Sequence, residues 1–328
     1  MSVVVREPGP ALDRLRRTRR VLITSHSNPD GDSLGSELAL AELLQRLGVE
    51  HLVLNRDPSP ANLAMLPGAG QVVVAAALPA DFAEVCDLVA MVECPDIDRP
   101  GLGGLDRLPI VNIDHHKANT CYGEVNYLDE ESPAVGEMMW RLFLAAEVVP
   151  SPAAATNMFV ALSTDTGDFR YPNTTARAFR TAAELTDAGA DPAQVAGWIH
   201  ECRSEASVRL LGEALATLEV LDHGRLAVFS VDPAAFRRAG ARPEDTEDLI
   251  AAPRAIAGVE VVAFFKQWEP GVVRVSLRSK GSFDVRLVAA DYGGGGHTNA
   301  SGCTIRGELA SARRDLTARL SALLDEEP

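Results

Sequence analysis

The sequence predicts an α/β protein of two domains, a parallel-sheet amino-terminal domain followed by a smaller carboxy-terminal α+β domain. Three observations predict it. Short apolar runs alternate with helical patterns over the first half, the signature of a largely parallel sheet. From about residue 174 the texture changes to consecutive helices, and beyond Leu218 two β-rich runs appear. At 328 residues and 46% hydrophobic, the chain is long enough for two cores.

In chain order, "RRVLITSH" reads as a strand, and Leu34, Leu38, Ala41 and Leu44 then fall at helical spacing. "EHLVLN", "DLVAMVE" and "LPIVNIDHH" are further strands, and "SPAVGEMMWRLFLAAE" repeats the helix pattern through Val135, Met138 and Leu142. "DPAQVAGWIHEC" starts a helix with Asp191 as N-cap and Pro192 at its first position. "GRLAVFSVD" and "VEVVAFFKQWEPGVVRVSLRSK" follow, the latter a hairpin turning at Glu269-Pro270-Gly271, and "ELASARRDLTARLSALL" closes the chain as a helix. The expected division is 1–188 for the first domain, 189–217 for a helical connector and 218–328 for the second domain.

The charge balance of 31 Lys and Arg against 46 Asp and Glu, a net of −15, argues against gripping long nucleic acid through its phosphates. Five cysteines without a C-x-x-C pair suggest neither a disulfide framework nor a thiolate zinc site, and fit a reducing cytoplasm. The start "MSVVVREPGP" lacks a signal-peptide pattern, and no apolar run approaches the ~18 residues of a membrane span, so a cytoplasmic protein without membrane association is expected.

The chemistry gathers at segment ends. "TSHSNPDGDS" places His26, Asp30 and Asp32 just after an apolar run; alone, this could equally be a turn in which aspartates cap amides. Three further segments change the weighing: "VECPD" ends a strand at Glu93, "NIDHH" ends one with Asp114, His115 and His116, and "LSTDTG" ends an apolar helix-like run with Asp165. Each follows an apolar segment, so a parallel sheet would bring all four to one carboxyl edge. Oxygen and nitrogen donors without sulfur suit Mn²⁺ or Mg²⁺, and so many like charges would repel unless cations sit between them. Two divalent ions could activate a water and stabilise both oxygens of a phosphoryl displacement.

In the far domain, "DYGGGGHTNASG" holds Gly293 to Gly296 and then His297. A bare glycine run is ordinarily a turn, but backbone without side chains can also approach a phosphate closely. "GLGGLDR" lacks dinucleotide-fingerprint spacing and reads as a loop. His51, His200 and His223 read as structural or exposed, Trp140 and Trp198 as core, and Trp268 is a weak candidate for stacking on a base.

On "HSNPDGDS", "VECPD", "NIDHH" and "STDTG", the chain resembles the DHH phosphoesterases, named for the Asp114-His115-His116 triplet, over nearly its whole length. The glycine run resembles the GGGH-type motif of the DHH-associated domain, and "SLRSKG" its basic substrate-binding strand. The resemblance implies that His26, Asp30 and Glu93 hold one metal, and Asp32, Glu93, His115 and Asp165 the other. His116 would contact the scissile phosphate and Asp114 would orient the histidine pair. Substrate contacts would come from Arg278, Ser279, Lys280, Gly294, Gly295, Gly296 and His297, across a cleft between the domains. Glu93 departs from the pattern, which usually has aspartate there.

Within the family the closest likeness is to the nanoRNase and pAp phosphatase group. It implies two divalent ions, Mn²⁺ before Mg²⁺, and as substrates short RNA oligonucleotides, dinucleotides or 3′-phosphoadenosine 5′-phosphate (pAp). A homodimer is left open. The rival readings are a cyclic or linear dinucleotide phosphodiesterase, a manganese pyrophosphatase or exopolyphosphatase, and a non-catalytic nucleotide sensor.

Overall fold

Seven parallel strands form the sheet of the first unit: β1 (Val3–Val5), β2 (Arg20–Thr24), β3 (Glu50–Asn55), β4 (Val73–Val74), β5 (Leu88–Val92), β6 (Ile110–Asp114) and β7 (Val125–Leu128). Their order is β1-β7-β6-β5-β2-β3-β4. The chain runs outward from β2 to β4, returns to β5 on the other side of β2, and continues outward again. The crevice at the carboxyl ends of β2 and β5 is therefore a topological switch point, where open α/β sheets carry their sites. The structure is a computed structural model that describes residues 2–247 and 249–326.

Period-two alternation sends residues to two cores. Val21 and Ile23 of β2 and Leu88, Ala90 and Val92 of β5 enter one, while Leu22, Val89 and Met91 enter the other. Helices α1 (Gly9–Arg16), α2 (Gly31–Arg46), α4 (Val135–Ala146), α5 (Pro152–Asp165), α6 (Ala176–Asp187) and α7 (Pro192–His200) contribute to the larger core. The short α3 (Phe82–Val85) packs into the smaller one. Helices α2, α4 and α5 approach closely because Gly31 and Gly136 lack side chains. A Cβ on Gly31 would lie 2.4 Å from Thr164, and one on Gly136 2.4 Å from Ala161.

The chain divides into units Met1–Cys202 and Arg203–Pro328. The segment 189–217, read from the sequence as a connector, thus holds α7 in the first unit and α8 (Glu205–Leu215) in the second. The N-cap at Asp191 is present, accepting from the amides of Ala193 and Gln194.

The second unit is a mixed sheet in the order β12-β13-β11-β10-β9-β8. Its strands are β8 (Glu219–Leu221), β9 (Leu226–Val231), β10 (Val261–Glu269), β11 (Val272–Ser279), β12 (Gly295–His297) and β13 (Ala300–Arg306). The expected hairpin is β10–β11, turning through Pro270-Gly271. One face is covered by α11 (Val285–Asp291) and α12 (Leu309–Glu326). On the other face α8, α9 (Pro233–Ala239) and the neighbourhood of α10 (Ala251–Arg254) pack on β9 and β10. Among the described residues, β11 and β13 contribute nothing to that second core. No helix among them is long and apolar enough to cross a membrane.

Candidate active site

Two residues past β2, the His26 ring is nearly buried, and its Nδ1 lies 2.9 Å from the Ser27 carbonyl. Donation from Nδ1 leaves Nε2 facing the Glu93 carboxylate at 2.8 Å and Asp30 at 3.7 Å. Asp30 is the N-cap of α2: its side chain accepts from the Ser33 amide while its own amide donates to Ser33 Oγ. One function of the aspartates is thus the turn-and-cap role open from sequence, and it coexists with the other.

Asp32 sits in the first turn of α2 with 1% of its surface exposed. It accepts from the amides of Val135 (2.7 Å) and Gly136 (2.9 Å), the first two residues of α4, and from Ser36 Oγ. Burial, then the charges of Asp165 and Glu93, nevertheless push its carboxyl well above the usual range. Glu93 follows β5 in a left-handed conformation with φ of +59°, its amide bonded to the Ile113 carbonyl. This backbone turn brings its second oxygen to 3.6 Å from His115 Nε2 and 3.7 Å from His116 Nε2.

After β6, the buried Asp114 accepts from His116 Nδ1 (2.8 Å) and from the Asn119 side chain (2.6 Å). Burial alone would raise Asp114, but these two bonds and the imidazole charge hold it below the usual carboxylate range. His115 Nδ1 lies 3.0 Å from the Ser132 carbonyl, so its Nε2 also points into the carboxylates, 3.9 Å from Asp32 and 3.8 Å from Asp165. Although burial opposes it, the surrounding carboxylates push His26 up to about 11 and His115 up to about 10.

Asp165 is the last residue of helix α5, whose carboxyl end meets the sheet edge. Asn173 donates to its carboxylate at 3.2 Å. Burial and Glu93 push Asp165 up to about 6, against the pull of His115.

All eight residues expected from the four motifs therefore converge. Donor atoms fall into three groups, each within 4.8 Å: His26, Asp30 and Glu93; Asp32, His115 and Asp165; and Glu93, His115 and His116. The fit to divalent cations rests on the chemistry of this set. It holds buried carboxylates whose repulsion raises Asp32 and Asp165, and His26 and His115 each donate one ring N–H to a backbone carbonyl and turn the other nitrogen inward, as metal-ligating histidines do. Sequence reasoning missed the supporting residues Asn119, Ser132 and Asn173; Asn119 follows the triplet closely, but a lone asparagine in a loop carries no signal of its own.

In the second unit, Arg278 and Lys280 follow the outward alternation of β11, with Arg278 Nη1 donating to the Leu277 carbonyl and Lys280 Nζ 3.4 Å from the Ile256 carbonyl. Ser279 does not share their face. It is buried, and its hydroxyl donates to the Phe283 carbonyl. Gly294, Gly295 and Gly296 lie at and just before β12, while the side chain of His297 lies outside the described residues. A Cβ on Gly294 would sit 2.2 Å from the Gly302 carbonyl, so close packing against β13 already requires this glycine. Trp268 packs edge-on to Phe236 and under Arg274.

An α/β sheet whose switch point gathers oxygen and nitrogen donors in overlapping groups defines a metal-dependent enzyme class. Comparison gives the particular family. Residues 20–162 match the DHH family N-terminal domain and residues 224–326 the DHHA1 domain. The chain is 32% identical to the bifunctional oligoribonuclease and PAP phosphatase NrnA of Thermus thermophilus, covering 88% of this chain and 84% of that protein. It is 26% identical to the protein of the same name from Bacillus subtilis, covering 87% and 89%. An exopolyphosphatase-related protein from Bacteroides fragilis has the same fold, with a TM-score of 0.84 at 23% identity over 97% of this chain and 98% of that one. The chain belongs to the DHH phosphoesterase family and is a hydrolase of phosphoric ester bonds.

Proposed function

We propose that the enzyme hydrolyses short oligoribonucleotides to mononucleotides and converts pAp to AMP, using two divalent cations, with Mn²⁺ before Mg²⁺. The observation that carries this reading is the kinship to the Thermus enzyme across both domains at once, since amino-terminal motifs alone would suit a pyrophosphatase equally. His26, Asp30 and Glu93 hold one ion; Asp32, Glu93, His115 and Asp165 hold the other. Glu93 is the shared ligand, a role supported by its two oxygens facing His26 and His115 separately.

The cations supply charge neutralisation at the phosphoryl oxygens and a nucleophile from water near neutral pH. The protein's own contribution is position. Asp32 is fixed by two amides at the start of α4, and the His115 ring by the Ser132 carbonyl. Asp114 holds the Nδ1 proton of His116, so His116 Nε2 is oriented toward a phosphoryl oxygen from the more exposed side of the site. Phosphoryl transfer needs mainly such positioning and charge compensation, so no covalent nucleophile is required.

Product analysis in Mn²⁺ on a diadenosine dinucleotide, pAp, cyclic dinucleotide and pyrophosphate in parallel tests the reading. AMP from the first two is expected, with loss of activity on chelation. Phosphate from pyrophosphate alone would overturn it in favour of a pyrophosphatase, and binding without product would favour a sensor.

A further inference from the structure

The two histidines that turn a ring nitrogen toward the carboxylates are anchored differently. The His115 ring is held by the Ser132 carbonyl, 17 residues away in the chain. The His26 ring leans on the carbonyl of its own neighbour, Ser27. Its direction is therefore no better fixed than the loop that carries it, and what fixes that loop lies outside the four motifs.

Strand β3 and the turn after it supply the hold at two points. The last paired residues of β2 and β3 are Ile23 and Val53. Two residues further on, the Ser25 amide donates to the side-chain oxygen of Asn55 at 3.2 Å, so a side chain takes the place of the missing ladder partner. Ser25, Asn55 and Glu37 of α2 are all buried. The Asn55 amide has one orientation that satisfies both neighbours: Nδ2 donates to Glu37 Oε2 at 2.8 Å, which turns the oxygen to the Ser25 N–H. Beyond the strand, Asp57 Oδ2 accepts from the Asn28 amide at 2.9 Å. Asn28 has φ of +55°, and this left-handed residue turns the chain between His26 and Asp30. The Ser27 amide between these two points donates to the Arg99 carbonyl.

A carboxyl as deeply buried as Glu37 is costly to keep. Burial, against the bonds from Asn55 and Ser25, pushes it up to about 8. A leucine at this place in α2 would bury without that cost, but it would leave the Asn55 amide without the acceptor that orients it.

We propose that Asp57 and the Glu37–Asn55 pair are positioning residues for the first cation group, holding residues 25–28 so that His26 and Asp30 converge on Glu93 before an ion arrives. This role rests on the two-cation function proposed above, to which it adds the residues that preform one of the two ion positions.

The test uses the full-length protein and four variants, Asp57→Ala, Asp57→Asn, Glu37→Leu and Glu37→Gln. Asparagine keeps an acceptor for the Asn28 amide and glutamine keeps one for Asn55, whereas alanine and leucine keep none. Hydrogen exchange over residues 24–30 of the metal-free protein should be faster in Asp57→Ala and Glu37→Leu than in wild type. Calorimetric titration with Mn²⁺ should show one of the two ions bound about tenfold or more weaker in these two variants and the other unchanged, the scale on which partners of metal ligands act. Asp57→Asn and Glu37→Gln should stay within about threefold of wild type, because a neutral acceptor keeps the bond. Unchanged Mn²⁺ affinity in either truncated variant, equal losses at both ions, or conservative variants as weak as the truncated ones would overturn the positioning role. Mn²⁺ binding by the wild type without hydrolysis of any nucleotide would instead overturn the function reading, while the titrations would still decide the role of these residues. Should Glu37→Leu fail to fold, the two Asp57 variants, at a half-buried position, are read against the same outcomes.

Discussion

Glu93 combines a ligand role with a backbone conformation that few residues adopt. At φ of +59° a glutamate carries a strain of order 1 kcal/mol, whereas aspartate is several-fold commoner in that region. Glu93→Asp should therefore lose no stability. Its carboxylate retreats by about a bond length, so we expect activity within about tenfold of wild type or above it. Glu93→Gln keeps length and backbone but removes the charge shared between the two donor groups, and should lose about 10²-fold or more, the scale of a misplaced catalytic group. Kinetics at saturating Mn²⁺ check both; full activity of the glutamine variant would remove Glu93 from the bridging position. Lys266 offers a second residue-level test. Burial, then repulsion by Arg278 and Arg274, opposed by Glu247, lowers it from 10.5 to about 8. Because the unfolded chain holds this proton to higher pH, the charged lysine destabilises the fold below about pH 8, and that penalty fades as pH rises toward 10.5. Lys266→Met should accordingly raise the melting temperature at pH 7, with the gain shrinking by pH 10; a constant or negative difference would show that the lysine is not penalised.

Elements position the site through contacts far from the motifs. Arg177, in the first turn of α6, donates to Asp129 at 2.6 Å and to both oxygens of Glu137, carboxylates that are nearly buried. Glu137 in turn accepts from Ser132 Oγ, and the Ser132 carbonyl holds the His115 ring. Arg177→Met would leave Glu137 uncompensated, at a cost of about 3 kcal/mol, the lower end for a broken buried pair because Arg177 is partly exposed. At ~2–4 °C per kcal/mol, a fall of roughly 6–12 °C in melting temperature is expected. A raised Mn²⁺ requirement should accompany it, which a purely structural role would not produce. None of this network was readable in the sequence, because ion pairs between α4, α6 and the loop after β7 have no local pattern. The core strands were readable, since β2, β3 and β5 carry unbroken apolar stretches (Val21–Ile23, Leu52–Leu54 and Leu88–Val92) and β6 sets Ile110, Val111 and Ile113 directly before the Asp114-His115-His116 triplet. Strand β7 was not: its buried Asn126 satisfies itself on Ser2 and Gly123 and breaks the apolar run. The exposed, three-residue β1 paired to it was too short to register. Asp165 was found by its motif, and the end of helix α5 reaches the same edge as the strand ends.

Across the molecule the charge is unevenly shared. The first unit carries 15 Lys and Arg against 28 Asp and Glu, the second 16 against 18, so nearly all the negative excess lies with the catalytic donors. Two cations would neutralise only part of that excess, leaving a surface that repels phosphates beyond those seated in specific sites. A short oligonucleotide meets the site with few surplus charges, while each added nucleotide brings another phosphate into the repulsive field. We therefore expect kcat/KM on oligoribonucleotides to be highest at about two to four residues and to fall at least tenfold by about ten, at ~50 mM salt. Raising the salt to ~200 mM shortens the screening length and should narrow that difference, by weakening repulsion between the surplus phosphates and the protein. An enzyme that gripped RNA through a basic groove would do the reverse, losing affinity for long substrates steeply as salt rises. Rates on a length series at both salt concentrations decide between them: a preference that grows with length, or that sharpens with salt, would show that discrimination does not arise from the charge of the catalytic unit.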